Sequence, residues 1–218
     1  MTPLRHPFDP RINAGVDVAL WHADPNFEAV IVALVTTLRP TIWIETGTHC
    51  GWTSHWVANR WPQMPLETVE CSEHYARIAR ENLGDLPNVT LHEGDSATWL
   101  PERLARLAPG EQPFLWLDAH WYRPVPLLRE CAAVAKLDRY VCMIDDFDFK
   151  NPDFSGDGGE ETFDYKILNL EYVAPHLGRS CLRPAYPNTN PAGWKGYGIF
   201  LRNAGEFSHP LLREERLP

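Results

Sequence analysis

Apolar and polar positions divide the chain into short strands and amphipathic helices that take turns. Phe27, Val30, Ile31, Leu34, Val35 and Leu38 recur at i, i+3, i+4, i+7, i+8 and i+11, which is one apolar face of a helix. Asp24-Pro25 supplies an N-cap and a proline at the first helical position, and Pro40 stops the helix. Ile42-Trp43-Ile44-Glu45 then reads as a buried strand, and 52–60 as a helix. The pattern repeats as strand 66–70, helix 74–83 ended by Gly84, strand 89–93, and a helix running from Gly94-Asp95-Ser96 to Leu107. Strand 114–118, helix 127–137 and strand 140–145 follow. Five strands alternating with helices call for a parallel sheet covered on both faces.

The last third departs from this rhythm. Residues 147–162 form a polar, glycine-rich stretch, longer than a routine connection and therefore a candidate lid. Residues 163–177 return to a helical pattern closed by Gly178. Strands at 180–183 and 197–202 are separated by a Pro/Asn/Gly loop with no room for a crossover helix, so they should pair as an antiparallel hairpin. Residues 1–23, with Pro3, Pro7 and Pro10, read as an irregular arm that could act as a lid or join a homodimer.

Composition narrows the class. At 218 residues and 44% hydrophobic, the chain suits one α/β domain over 1–218. A net charge of −9 argues against binding nucleic acid or acidic membranes non-specifically. Five cysteines, scattered and without a C-x-x-C, favour a reduced protein over a disulfide scaffold. With no leader-like apolar segment and no apolar run of membrane-spanning length, a soluble, cytoplasmic protein is expected.

The chemistry gathers at strand ends. After the first strand comes Glu45-Thr46-Gly47-Thr48-His49-Cys50-Gly51, where glycines at a helix start could let a ligand approach backbone N–H groups. The spacing differs from G-x-G-x-x-G because His49 stands at the second glycine position. A pyrophosphate pressed on this turn would meet a side chain; a nucleoside without phosphates would not need that clearance. Acids close nearly every strand: Glu45, Glu70, Asp95 just beyond its strand, Asp118, Asp145 and Asp146. One such acid reads as a helix cap. Six on the edge where open α/β sheets bind ligands read as a site.

In this order, 45–51, Glu70, Gly94-Asp95-Ser96 and Asp118 resemble the successive motifs of class I S-adenosylmethionine-dependent methyltransferases, over about 25–202. The resemblance implies a Rossmann-like, mostly parallel seven-stranded sheet with a C-terminal antiparallel hairpin. It further implies a cofactor site of Glu45, Thr46, Gly47, Thr48, His49 and Gly51 under the methionine part. Glu70 with Cys71 would lie at the ribose, Asp95 and Ser96 at the adenine, and Asp118 beside them. A carboxylate suits a vicinal diol because it accepts two O–H bonds at once.

Leu117-Asp118-Ala119-His120-Trp121 and Ile144-Asp145-Asp146-Phe147 look most like the macrocin-type, metal-dependent O-methyltransferases. That likeness implies a metal triad of Asp118, Asp145 and Asp146, whose mutual repulsion a hard ion such as Mg²⁺ would relieve. In the alternative, Asp146 caps the next segment and only Asp118 faces the pocket. Asp118 or His120 would be the catalytic base, the imidazole being the closer match to neutral pH. The implied activity is methyl transfer from S-adenosylmethionine to a hydroxyl of a small sugar or natural-product-type molecule. A nicotinamide-dependent oxidoreductase and a non-catalytic cofactor-binding module are the competing readings. Trp52, Trp121 and Trp194 could stack on substrate, and Cys50 and Cys71 could be nucleophiles in principle, though no His-Asn pairing accompanies them.

Overall fold

The computed structural model describes residue 5 and residues 24–120, 124–147, 168–186 and 196–218. The N-terminal arm apart from Arg5, the body of the candidate lid, Trp121 and Trp194 lie outside the described residues.

Helix α1, Pro25–Leu38, buries all six residues of its apolar face, and the Asp24 side chain caps it by accepting from the Asn26 N–H. Strand β1 (Ile42–Thr46) leads into α2 (Trp52–Arg60), and β2 (Leu66–Glu70) into α3 (Glu73–Leu83). Next come β3 (Val89–Glu93), α4 (Ser96–Leu104), β4 (Pro113–Leu117), α5 (Leu127–Val134) and β5 (Tyr140–Ile144). Helix α6 (Leu170–Leu177) precedes β6 (Ser180–Pro184), β7 (Gly198–Arg202) and β8 (Leu212–Arg216).

The strands lie in the order β3-β2-β1-β4-β5-β7-β6-β8. β1 to β5 are parallel, while β7 is antiparallel to β5 and β6 to β7, with Leu182 opposite Ile199. The expected hairpin is therefore present. The sheet has eight strands rather than seven, because β8 adds to the outer edge of β6. Its sequence, Leu-Arg-Glu-Glu-Arg, has no apolar alternation to announce it, and backbone pairing alone defines it.

Alternate residues of each central strand feed two cores, because side chains of a strand point to opposite faces. Trp43, Phe114, Trp116, Val141 and Met143 pack with α1, α2 and α3 on one face. Ile42, Ile44, Leu115, Leu117, Cys142 and Ile144 pack with α4, α5 and α6 on the other. Strand order reverses between β1 and β4, the switch point where such sheets open a crevice beyond their carboxyl ends. Among the described residues no helix is long and apolar enough to cross a membrane.

Candidate active site

The turn after β1 is held from three sides. The Gly47 and Thr48 N–H groups both donate to the Val69 carbonyl of β2. Glu70, at the end of β2, accepts from the His49 N–H at 2.7 Å with one carboxylate oxygen and from the Ser72 N–H at 2.8 Å with the other. These two N–H groups and the neighbouring Cys71 thiol draw on its roughly four lone-pair positions without filling them, leaving acceptor capacity for a hydroxyl.

The glycines in this turn serve packing between protein segments. Gly47 (φ +84°) sits so close to the end of β4 that a Cβ would lie 2.5 Å from the Asp118 carbonyl oxygen. Gly51 (φ +80°) caps α2 and would set a Cβ 3.0 Å from the Leu83 side chain of α3. The contacts that require glycine here are with Asp118 and Leu83. One result is that the β1 turn and Asp118 are brought side by side.

Glu45 lies beneath this turn. It is 1% exposed, accepts hydrogen bonds from the Ser54 and Thr68 hydroxyls, and connects through Thr68 to Thr48. Burial pushes its pKa up to about 7, against the pull of those two hydrogen bonds and with help from the Glu70 charge. Its role is to join β1, β2, α2 and the turn. His49, at a left-handed φ of 51°, packs its ring on Tyr75 at 4.1 Å and meets Trp52 edge-on. Burial, reinforced by His74, lowers its pKa to about 4, so it is a neutral imidazole at pH 7. The same desolvation pushes the Cys50 thiol up to about 11 and also raises that of Cys71, an exposed residue beside Glu70. A raised thiol is a poor nucleophile, and the cysteine reading loses its support.

Asp95 is an exposed N-cap of α4, accepting from the Ala97 N–H at 3.0 Å, and Ser96 is buried at the first helical position. Behind them lies a residue that sequence reasoning passed over. Glu130 of α5 is fully buried, and its pKa is pushed up to about 7 by burial, opposed by the Ser96 and Thr46 hydroxyls and aided by the Asp95 charge. The signal was legible: Leu127, Glu130, Cys131 and Val134 recur at i, i+3, i+4 and i+7, so an acid occupies the apolar face.

Across the crevice, Asp118, His120 and Asp146 bring one donor atom each to within 4.8 Å of one another, an arrangement able to hold a metal ion. His120 is 1% exposed, and its Nε2 stands 3.7 Å from Asp118 Oδ1. Asp146 is buried and adopts a left-handed φ of 52°. Asp145 is buried beside it, its N–H bonded to the Leu117 carbonyl, but it does not belong to that trio. The trio expected from the sequence was Asp118, Asp145 and Asp146; the structure assembles Asp118 and Asp146 with His120 instead. Two carboxylates and an imidazole form a donor set that divalent ions accept.

No protein-family model matches the sequence. The structure is similar to that of the O-methyltransferase TomG from Streptomyces achromogenes, involved in tomaymycin synthesis and solved with S-adenosylmethionine. The two share 20% identity with a TM-score of 0.59, over 89% of this chain and 86% of TomG. An O-methyltransferase from Bacillus cereus in complex with S-adenosylhomocysteine aligns at 15% identity and a TM-score of 0.57, over 88% of both chains. Spermidine synthase from Thermotoga maritima also aligns, at 11% identity and a TM-score of 0.56, over 80% of this chain and 57% of its own. Likeness at this level establishes architecture, and unrelated chemistries share it. The chain has the Rossmann-like fold of the class I methyltransferases.

Proposed function

We propose that the protein is an S-adenosylmethionine-dependent O-methyltransferase that acts on a hydroxyl of a small sugar or natural-product-type molecule, with a divalent cation such as Mg²⁺ assisting. The observation that carries this reading is the convergence of Asp118, His120 and Asp146 beside the Gly47 turn, within a sheet whose structural relatives include methyltransferases solved with this cofactor and its product.

Each group has a task suited to its setting. Glu70 retains acceptor capacity for the ribose hydroxyls while its backbone bonds fix the carboxylate plane. Ser96 and Asp95 border the adenine position at the start of α4. Thr46, Gly47, Thr48 and Gly51 shape the turn under the methionine part, and buried Glu45 keeps that turn rigid. S-adenosylmethionine supplies a sulfonium methyl group that moves in line to an oxygen, so the chain's main duty is alignment. Asp118, His120 and Asp146, with Asp145 behind them, would hold the cation, whose charge makes a bound hydroxyl more acidic. Asp118, the one with a partly exposed side chain, is the member of the trio best placed to take the acceptor's proton. His120 is too buried for that exchange and suits the ligand role.

Calorimetric titration of S-adenosylhomocysteine, with NAD as control and with Mg²⁺ or EDTA present, tests the reading. Binding of S-adenosylhomocysteine alone, followed by metal-dependent methylation of a hydroxylated acceptor, is the expected outcome. Binding of NAD instead would return the chain to the oxidoreductase class. Cofactor binding without turnover on any hydroxylated acceptor would favour a non-catalytic module.

A further inference from the structure

Asp146 holds a backbone conformation that an L-residue adopts at a cost and keeps only where its surroundings impose it. On one side the Asp145 N–H is bonded to the Leu117 carbonyl at 3.1 Å; on the other the Phe147 N–H is bonded to the Gly196 carbonyl at 2.9 Å. The Phe147 ring is fully buried in a slot made by missing side chains. A Cβ at Gly196 would lie 2.4 Å from the Phe147 carbonyl oxygen, and one at Gly198 would lie 2.6 Å from the ring. Phe200 closes the slot edge-on at 5.8 Å. The Arg183 guanidinium lies over the same ring, 5.7 Å from its centroid.

Arg183 is 8% exposed, so its charge needs a counter-charge, and Glu215 of β8 supplies one at 3.1 Å. The register explains the pairing. Cys181 stands opposite Glu215 and Arg183 opposite Arg213, so Arg183 and Glu215 are diagonal neighbours on one face. A continuous line of contacts therefore runs from the edge strand to the site: Glu215 to Arg183, Arg183 to the Phe147 ring, and Phe147 to the adjoining Asp146.

We infer that Arg183 and Glu215 are positioning residues for Asp146, so that strand β8 braces the candidate metal centre from the edge of the sheet. This rests on the metal-assisted reading of the Asp118–His120–Asp146 trio. A merely structural role would lower stability and leave metal affinity alone. A positioning role lowers metal affinity and leaves S-adenosylhomocysteine affinity alone, because Glu70 ends β2, which β1 and β4 separate from the Phe147 mount after β5.

The test is calorimetric titration of the full chain with Mn²⁺, and separately with S-adenosylhomocysteine, on wild type, Asp146→Asn, Glu215→Gln, Arg183→Gln and Arg183→Lys. Amide exchange at Phe147 is followed in parallel. Asp146→Asn should abolish Mn²⁺ binding. Glu215→Gln and Arg183→Gln should each weaken it roughly tenfold, as loss of a partner supporting a ligand does. Arg183→Lys should recover part of the loss, and both Gln variants should speed exchange at Phe147. If Asp146→Asn abolishes Mn²⁺ binding while the Gln variants keep wild-type affinity, the brace is refuted and the metal site stands. If wild type takes up no Mn²⁺, or Asp146→Asn binds as well as wild type, the metal reading has failed. The brace is then judged on the Phe147 amide alone, and unchanged exchange overturns it too. Should Arg183→Gln not fold, Glu215→Gln, at the half-exposed end of the pair, carries the comparison.

Discussion

Two turns at the carboxyl edge of the sheet place a non-glycine residue in the left-handed region, His49 at φ 51° after β1 and Asp146 at φ 52° after β5. They reach that conformation by different physics. The first turn is held by polar bonding: Glu70 accepts the His49 N–H, and Glu45 ties β1 to α2 through Ser54 and to β2 through Thr68. The second has backbone bonds on either side of Asp146 but owes its fixing chiefly to packing, with the Phe147 ring filling space left by Gly196 and Gly198. Acids at the first turn are thus largely scaffold, with some acceptor capacity left over on Glu70. Those at the second, Asp145 and Asp146, are carried by a hydrophobic mount. An acid at a strand end is not one kind of object.

Substitutions can break or sharpen this contrast. The largest effect is expected for Gly47→Ala, which forces a Cβ against the Asp118 carbonyl at a positive φ. It should cost about 4 kcal/mol in urea denaturation and abolish S-adenosylhomocysteine binding. A loss below about 1 kcal/mol would mean the two segments separate freely.

Next comes the pH dependence of Glu45. Its pKa rises from 4.5 in the unfolded chain to about 7 in the fold, so the folded state binds the extra proton in that window. Stability is therefore greatest at the acid end, falls as pH rises through the window, and levels off above it. Glu45→Gln keeps an oxygen for Ser54 and Thr68 and removes the penalty. It should gain up to about 3 kcal/mol at pH 8 and nothing near pH 4.5. Glu130 shifts in the same direction, so the pH slope should shrink in the variant without vanishing. Loss of stability at pH 8 would show that Glu45 works as an anion, contrary to a scaffold role.

Glu70→Gln replaces one of two acceptor oxygens with an amide facing a backbone N–H. A cost of about 2 kcal/mol and roughly tenfold weaker S-adenosylhomocysteine binding are expected, read by denaturation and calorimetry. The smallest effect belongs to Asp24→Ala, remote from both turns. It removes the α1 cap and should cost about 1 kcal/mol without changing ligand affinity.

How much the sequence disclosed depended on the kind of interaction. Helix α1 was readable to the residue because periodicity and capping are local: all six expected face positions are buried. The parallel strands were readable from their buried apolar runs, and the β6–β7 hairpin from loop length. β8 was not, since an exposed edge strand of Arg and Glu is specified by backbone pairing with a distant partner. At the site, residue types at strand ends pointed to the right edge but not to orientation. Glu45 and Glu70 both lie buried at strand ends, yet Glu45 accepts from hydroxyls beneath the turn and Glu70 from the backbone N–H of the turn itself. Asp146 lies with Asp118 and His120, and its left-handed backbone is a conformation no local pattern announces.

The charges on β8 bear on assembly. Among the described residues, β3 and β8 are the outermost strands, and they read Val-Thr-Leu-His-Glu and Leu-Arg-Glu-Glu-Arg. An outer strand offers unpaired backbone groups as a template for another chain, and charge along it is a standard deterrent. A second copy docking β8 against β8 about a twofold axis between Glu214 and Glu215 would set those two acids face to face, with Arg213 opposite Arg216. In that register, extension of the sheet from one molecule into the next opposes like charges.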